Sequence, residues 1–242
     1  IRADCISDVF PALVEVAAAV DQGAYAAGFL SYEAAPAFDG AFATRPPGDL
    51  PLLWFGIYDE PGHIDLPEPD DVLPPLDWQP ATTIGAYQDA IARVRDYIAA
   101  GDTYQVNYTT RLRAPFDGEA WALFRRIASV QRAEHCAYVD TGDHALCSAS
   151  PELFFSMAGE EITCRPMKGT APRGVTTGAD RERAAWLAAS EKNRAENVMI
   201  VDMVRNDLGR IARPGSVSVP ELFTVEKYDT LFQMTSTVSA RS

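Results

Sequence analysis

Apolar residues recur along this chain at two spacings, and the spacings divide it into helical and extended stretches. Val9, Leu13, Val16 and Val20 form a helical stripe that Gly23 ends. Apolar strands are predicted from Tyr25 to Tyr32 and from Pro51 to Tyr58, with Pro46-Pro47-Gly48 marking a loop between them. Residues 59–80 contain six prolines among many acids and read as a connector. Thr83 then caps a helix with Tyr87, Ile91, Val94 and Ile98 on one face and Gly101 at its end. From Tyr104 to Leu112 apolar and polar positions alternate, which predicts a half-buried strand with Gln105 and Asn107 on one face. A helix follows over 119–130, then strands around Ala137 and Leu146. The runs 153–157 and 161–165 flank Ala158-Gly159-Glu160 and predict a hairpin. Within 181–210 the second half reads as a helix, with Glu196, Ile200, Met203 and Asp207 on one face beside Met199 and Val204. Strands clustered apart from helices indicate an α+β fold with antiparallel sheets. The connector divides the chain into an N-terminal portion, 1–80, and a larger region, 81–242.

Composition narrows the function classes. With 242 residues and 47% hydrophobic content, the chain can bury a core as one large domain or two small ones. No apolar run reaches membrane-spanning length and no signal-peptide pattern opens the chain. Cys5, Cys136, Cys147 and Cys164 lack metal or redox spacing, as expected of reduced core residues in a cytoplasmic protein. A net charge of −13 and a pI near 4.6 argue against nucleic acid and against anionic membranes.

Against that acidic background, Ile162 to Gly174 holds Arg165, Lys168 and Arg173 and no acid. Such a segment suits a small anion or a lysine acting as a nucleophile, and it also reads as a solvated basic loop. Pairing of the predicted hairpin puts Glu152 and Lys168 at the same end. A carboxyl that donates a proton beside an amine that attacks can displace a hydroxyl group; the two also make an ordinary ion pair. Glu196 on an apolar helix face has to be paired, protonated or metal-bound. A salt bridge to Arg194 or another cation satisfies it, and so does Mg2+, which takes one or two protein carboxylates. A phosphate-loop reading of Lys168-Gly169-Thr170 lacks its upstream glycine.

Ser150-Pro151-Glu152, the run Pro166 to Thr170, the run Arg194 to Arg210, the segment Gly101 to Asn107, and Gly215 to Phe223 occur together in this order. In that combination the chain resembles the chorismate-utilising enzymes, and among them those of the aminodeoxychorismate synthase component I type. The resemblance runs from about residue 24 to the end. It implies an antiparallel β-sandwich core wrapped by helices. It also implies conversion of chorismate and ammonia to 4-amino-4-deoxychorismate, on the route to 4-aminobenzoate and folate. Lys168 stands where anthranilate synthases usually have alanine, so this position looks like the aminodeoxychorismate type; the alternatives are an anthranilate synthase component I-like enzyme and a chorismate-binding subunit that has lost its chemistry. Gln105 stands where isochorismate and salicylate synthases have a water-activating lysine, and an amide cannot deprotonate water.

The resemblance assigns Lys168 as the nucleophile and Glu152 as the general acid. Gln105, Thr170, Arg165 and Gln233 become substrate-binding residues and Glu196 a ligand for Mg2+. Attack needs the Lys168 amine in its neutral form, which burial and the neighbouring Arg165 charge would favour. Many relatives carry histidine where this chain has Gln233, so the acid–base work falls on Glu152. His63, His135 and His144 lie outside the matching motifs and are expected on the surface or in strands. A glutamine amidotransferase subunit is the implied ammonia source. The family pattern continues past Ser242 with a Gly-rich loop, a substrate-binding Arg and Tyr and a second magnesium glutamate, so the fold is expected to be truncated at its C-terminus.

Overall fold

The structure, a computed structural model, describes residues 1–69 and 75–242. Part of the proline-rich connector, 70–74, lies outside the described residues. All the strand pairings it gives are antiparallel, and helices flank them in an α+β arrangement. Two compact units emerge, one of 1–68 with 137–147 and one of 69–136 with 148–242. They divide differently from the expected 1–80 and 81–242, because the strands around Ala137 and Leu146 join the N-terminal portion.

In the first unit, β1 (Arg2–Ala3), β3 (Leu53–Tyr58) and β2 (Tyr25–Leu30) form a sheet in that order. Helix α1 (Ile6–Asp21) lays Val9 and Ala12 on a core of Ala3, Ala34, Leu52 and Leu53, and also buries Val16. Leu13 packs against this core, whereas Val20 is exposed. Strand β2 ends two residues before the predicted Tyr32, where a 3-10 turn (Tyr32–Ala37) containing Pro36 begins. The hairpin of β6 (His135–Asp140) and β7 (Ala145–Ser150) turns through Thr141, whose N–H donates to the His144 carbonyl (2.9 Å).

The second unit opens with β4 (Gln79–Pro80), α2 (Ile84–Ala100), β5 (Leu112–Arg113) and α3 (Ala120–Gln131). The predicted cap holds: Thr83 Oγ1 accepts from the Ala86 N–H (3.2 Å), and Gly101 closes α2 at φ 81°. The predicted strand 104–112 does not form. Only Leu112–Arg113 pairs, with β4, and the rest is irregular because its alternating side chains have no ladder partner among the described residues.

Four further strands build the main sheet: β8 (Leu153–Ala158), β9 (Glu161–Arg165), β10 (Met167–Pro172) and β12 (Leu231–Arg241), with β11 (Ser218–Lys227) on the other edge of β12. The β8–β9 hairpin is the predicted one, turning at Gly159 with φ 60°. Strands β9 and β10 are two halves of one line along β12, since Cys164 pairs with Val238 and Met167 with Thr235 in a common register. Pro166, which has no N–H to offer a ladder, separates them. Helices α4 (Thr177–Ala189) and α5 (Glu191–Gly209) pack on this sheet. Ile162, Cys164, Val201, Leu208, Val238 and Ala240 form one core, and Ala171, Leu187, Phe232 and Met234 another.

Cys164 is the buried cysteine of the four, and Cys5 is exposed, contrary to the expectation of core positions. No helix is long and apolar enough to cross a membrane among the described residues.

Candidate functional site

Strand β8 stops at Leu153, opposite Arg165, one pair short of the Pro166 break. The next residue back, Glu152, continues the ladder with its side chain: Oε1 accepts from the Met167 N–H (3.3 Å). Its own N–H donates to Ser150 Oγ (3.1 Å), which fixes the turn that delivers it. Between Met167 and Thr170 strand β10 gains a residue over β12, a bulge that re-aims the side chain it carries. That side chain is Lys168. Gly169 makes the bulge possible at φ 100°, and a Cβ there would lie 2.9 Å from Asn193 Cβ on α5.

Lys168 is half-buried, and its Nζ donates to Asn107 Oδ1 (3.5 Å). Across the bulge Thr170 Oγ1 donates to Gln233 Oε1 (2.8 Å), directly opposite it on β12. The exposed Glu152 and Thr170 and the half-buried Lys168 and Gln233 thus share one stretch of sheet edge and bulge, joined by Asn107 from the irregular segment. Gln105 Oε1 is buried without a hydrogen-bond partner. Such an atom costs about 1–3 kcal/mol until something satisfies it.

The linear cluster of three cations is not a cluster of free charge. Arg165 is ion-paired to Glu226 and, at 3.6 Å, to Glu134. Burial alone would raise the Glu226 carboxyl. Hydrogen bonds from Thr235 Oγ1 (2.6 Å), Arg165 and the Tyr228 hydroxyl (2.9 Å) outweigh it and hold the carboxyl below the usual range. The Tyr228 hydroxyl is pushed up to about 12 by its own burial and by that bond to Glu226. Arg173 forks onto Asp180 (2.6 and 2.9 Å) and donates to the Tyr228 carbonyl (2.6 Å). Two carboxylates already use the Arg165 guanidinium, so the substrate-binding role expected of it would have to share the cation with them. Of the three cations, Lys168 alone has no carboxylate partner among the described residues.

On α5 the buried stripe is Asn197, Val201 and Leu208, one residue round from the predicted face. Met203 is 61% exposed, and Glu196 is 30% exposed at the edge of the stripe, in contact with Lys192 (3.6 Å). Arg194, the partner first expected, instead lies over the Phe223 ring (4.2 Å). Among the described residues no group of three His, Cys, Asp or Glu could hold a metal. The fit to Mg2+ is that of a single carboxylate, with one exposed and flexible lysine to give up. Asn197 is the polar residue that periodicity missed. It is 1% exposed, and two asparagines (193 and 197) on its stripe made that face look solvated.

The profile of the chorismate binding enzymes matches residues 6–242. Aminodeoxychorismate synthase component 1 of Salmonella typhimurium is 44% identical over 164 residues, 68% of this chain and 36% of that protein. Anthranilate synthase component 1 of Thermus thermophilus is 41% identical over 153 residues, 63% of this chain and 33% of that protein. The chain therefore spans about a third of the length of these curated relatives. The crystal structure of anthranilate synthase component I from Streptococcus pneumoniae superposes with a TM-score of 0.76 at 24% identity, covering 90% of this chain and 57% of that one.

Proposed function

The chain belongs to the chorismate binding enzymes, and on that premise we propose that it carries the nucleophile and the acid of an aminodeoxychorismate synthase. One observation carries the reading: the bulge at Gly169 presents a lysine without a carboxylate partner among the described residues, beside a glutamate tied to the preceding amide. The neutral Lys168 amine bonds to C2 of chorismate as the C4–O bond breaks, and Glu152 gives its proton so that the hydroxyl leaves as water. The adduct nitrogen then loses its extra proton to the ionised Glu152. Ammonia next bonds to C4, and Lys168 leaves C2 with a proton returned to its nitrogen. Asn107 orients the amine before attack. Thr170 and Gln233 offer a paired hydroxyl and amide to the substrate, and the unpartnered Gln105 Oε1 accepts from a substrate hydroxyl. Gln105 cannot activate water, which disfavours a hydroxylated product. Glu196 would supply one carboxylate to a Mg2+ ion, which when bound would offset negative charge on a carboxylate substrate. The ammonia comes from a glutamine amidotransferase partner, and the work is cytoplasmic.

The test is intact-protein mass spectrometry of the full-length protein with chorismate and magnesium and without ammonia. Wild type gains the mass of the adduct, and Lys168→Ala gains none. Unimpaired aminodeoxychorismate output from Lys168→Ala would overturn the reading. Anthranilate as the product would favour the alternative that the Thermus thermophilus relative represents.

A further inference from the structure

Strand β12 is flanked on both sides by strands that gain a residue on it. Strand β10 does so between Met167 and Thr170, and β11 between Glu221 and Thr224, opposite Thr237 and Thr235. Ser236 stands between those last two partners and is fully buried. Its N–H donates to the Pro166 carbonyl (3.1 Å), and its hydroxyl accepts from the Phe223 N–H (3.1 Å). The same hydroxyl donates to Asn197 Oδ1 (2.5 Å), and Asn197 Nδ2 donates to the Met234 carbonyl (3.4 Å). Phe223 sits at φ 61°, uncommon for a residue with a bulky side chain, and the Arg194 guanidinium covers its ring. Three separate stretches therefore meet at one serine, α5 and the β11 bulge through its hydroxyl and the Pro166 break through its backbone N–H.

An apolar pair would fill this volume without any desolvation to offset. What the polar pair adds is direction, because each of its bonds is satisfied in one register only. The register matters for what lies next to it. Glu196 precedes Asn197, Lys168 follows Pro166 by two residues, and Asn193, one turn earlier on α5, abuts Gly169. We propose that the Asn197–Ser236 pair is a positioning device that fixes the 166–170 segment against α5, and so sets Lys168 relative to Glu196. The inference rests on the proposed roles of Lys168 and Glu196.

Three variants of the full-length protein test it: Ser236→Ala, the double change Asn197→Leu with Ser236→Ala, and Ser236→Cys. The double change leaves no orphaned polar side chain, only the half-buried Phe223 N–H without its acceptor, and is expected to lower the melting temperature less than Ser236→Ala alone. Amide hydrogen exchange at 167–170 should then be faster by about tenfold or more, with exchange in the β8–β9 hairpin unchanged. The kcat should fall about tenfold to a hundredfold at a chorismate KM within about twofold of wild type, and more magnesium should be needed for half activity. Ser236→Cys, with a weak donor of similar size, should recover part of the kcat. It also carries the comparison if both other variants fail to fold. Unchanged kcat in the double variant, or exchange that is unaltered or altered evenly over the sheet, would make the pair core filling and overturn the proposal. If wild type leaves chorismate unchanged, the proposed reaction falls, and the exchange pattern alone decides the positioning role.

Discussion

Arg165 lies between Glu226 and Glu134 with its side chain 28% exposed, and Glu226 is only 17% exposed. Removing the cation leaves a desolvated carboxylate held by a hydroxyl and a phenol. Arg165→Gln should therefore cost about 2–4 kcal/mol of stability, read as a lower urea midpoint, with little change in chorismate KM. A raised KM at unchanged stability would return Arg165 to the substrate. Asp180 makes a second statement at this scale. Hydrogen bonds from Arg173 lead the effects that lower its carboxyl to about 2, and the Gly174 N–H and the nearby Arg173 and Lys227 charges add to them. A carboxyl whose folded value lies below its unfolded one binds its proton more readily when unfolded. Its contribution is therefore complete above about pH 4 and is lost as the pH falls toward 2. Asp180→Asn should flatten the acid limb of a stability–pH curve in that window and lower the plateau above it.

The bulge of β10 is the element on which the site turns. Alanine at 169 would have to hold φ 100° with its Cβ 2.9 Å from Asn193 Cβ and 3.3 Å from Leu187 Cδ1. Gly169→Ala should cost about 2–3 kcal/mol by chemical denaturation. It should also slow the reaction of the Lys168 amine with an acylating probe, since relieving the clash moves the bulge. The hairpin, the α2 caps and the Glu152–Lys168 neighbourhood were legible because local chemistry writes them: a short turn, a threonine before the helix, a glycine after it. Three other features were not. The 104–112 alternation promised a strand, but a strand needs an edge to pair with. The α5 face was misread by one residue because Asn197 is buried through a hydrogen bond to a serine thirty-nine residues away. The apparent excess of positive charge at 165–173 shrinks to Lys168 because the partners of the two arginines, Glu134, Asp180 and Glu226, lie elsewhere in the chain.

Across the 242 residues the net charge is −13, and local pairing absorbs two of the three cations nearest the site. A carboxylate substrate therefore approaches against the overall field. Raising the ionic strength from about 10 to about 150 mM shortens the screening length from about 30 to about 8 Å. The chorismate KM should fall by roughly twofold or more over that range, measured at saturating magnesium. A KM that rises with salt would mean that the charge around Lys168 steers substrate inward. At the level of architecture, the antiparallel α+β layout was readable from the alternation of periods. The assignment of residues 137–147 to the N-terminal unit was not, since it depends on contacts far apart in sequence.

Glu152 is bound to the amide of Met167 through one oxygen only. An oxygen that accepts that N–H has one lone pair taken, so in the proposed reaction Oε2 is the oxygen freer to hand over a proton. The two oxygens of a free carboxylate are equivalent by rotation, and here the strand removes that symmetry. If Glu152 is the acid proposed above, proton delivery acquires a handedness: the departing hydroxyl would lie on the Oε2 side of the carboxyl. A substrate bound with its opposite ring face toward Glu152 would meet the occupied oxygen and go unprotonated. Under the proposed role of Glu152, the face from which the leaving group is protonated would be selected by a strand that ends one residue early.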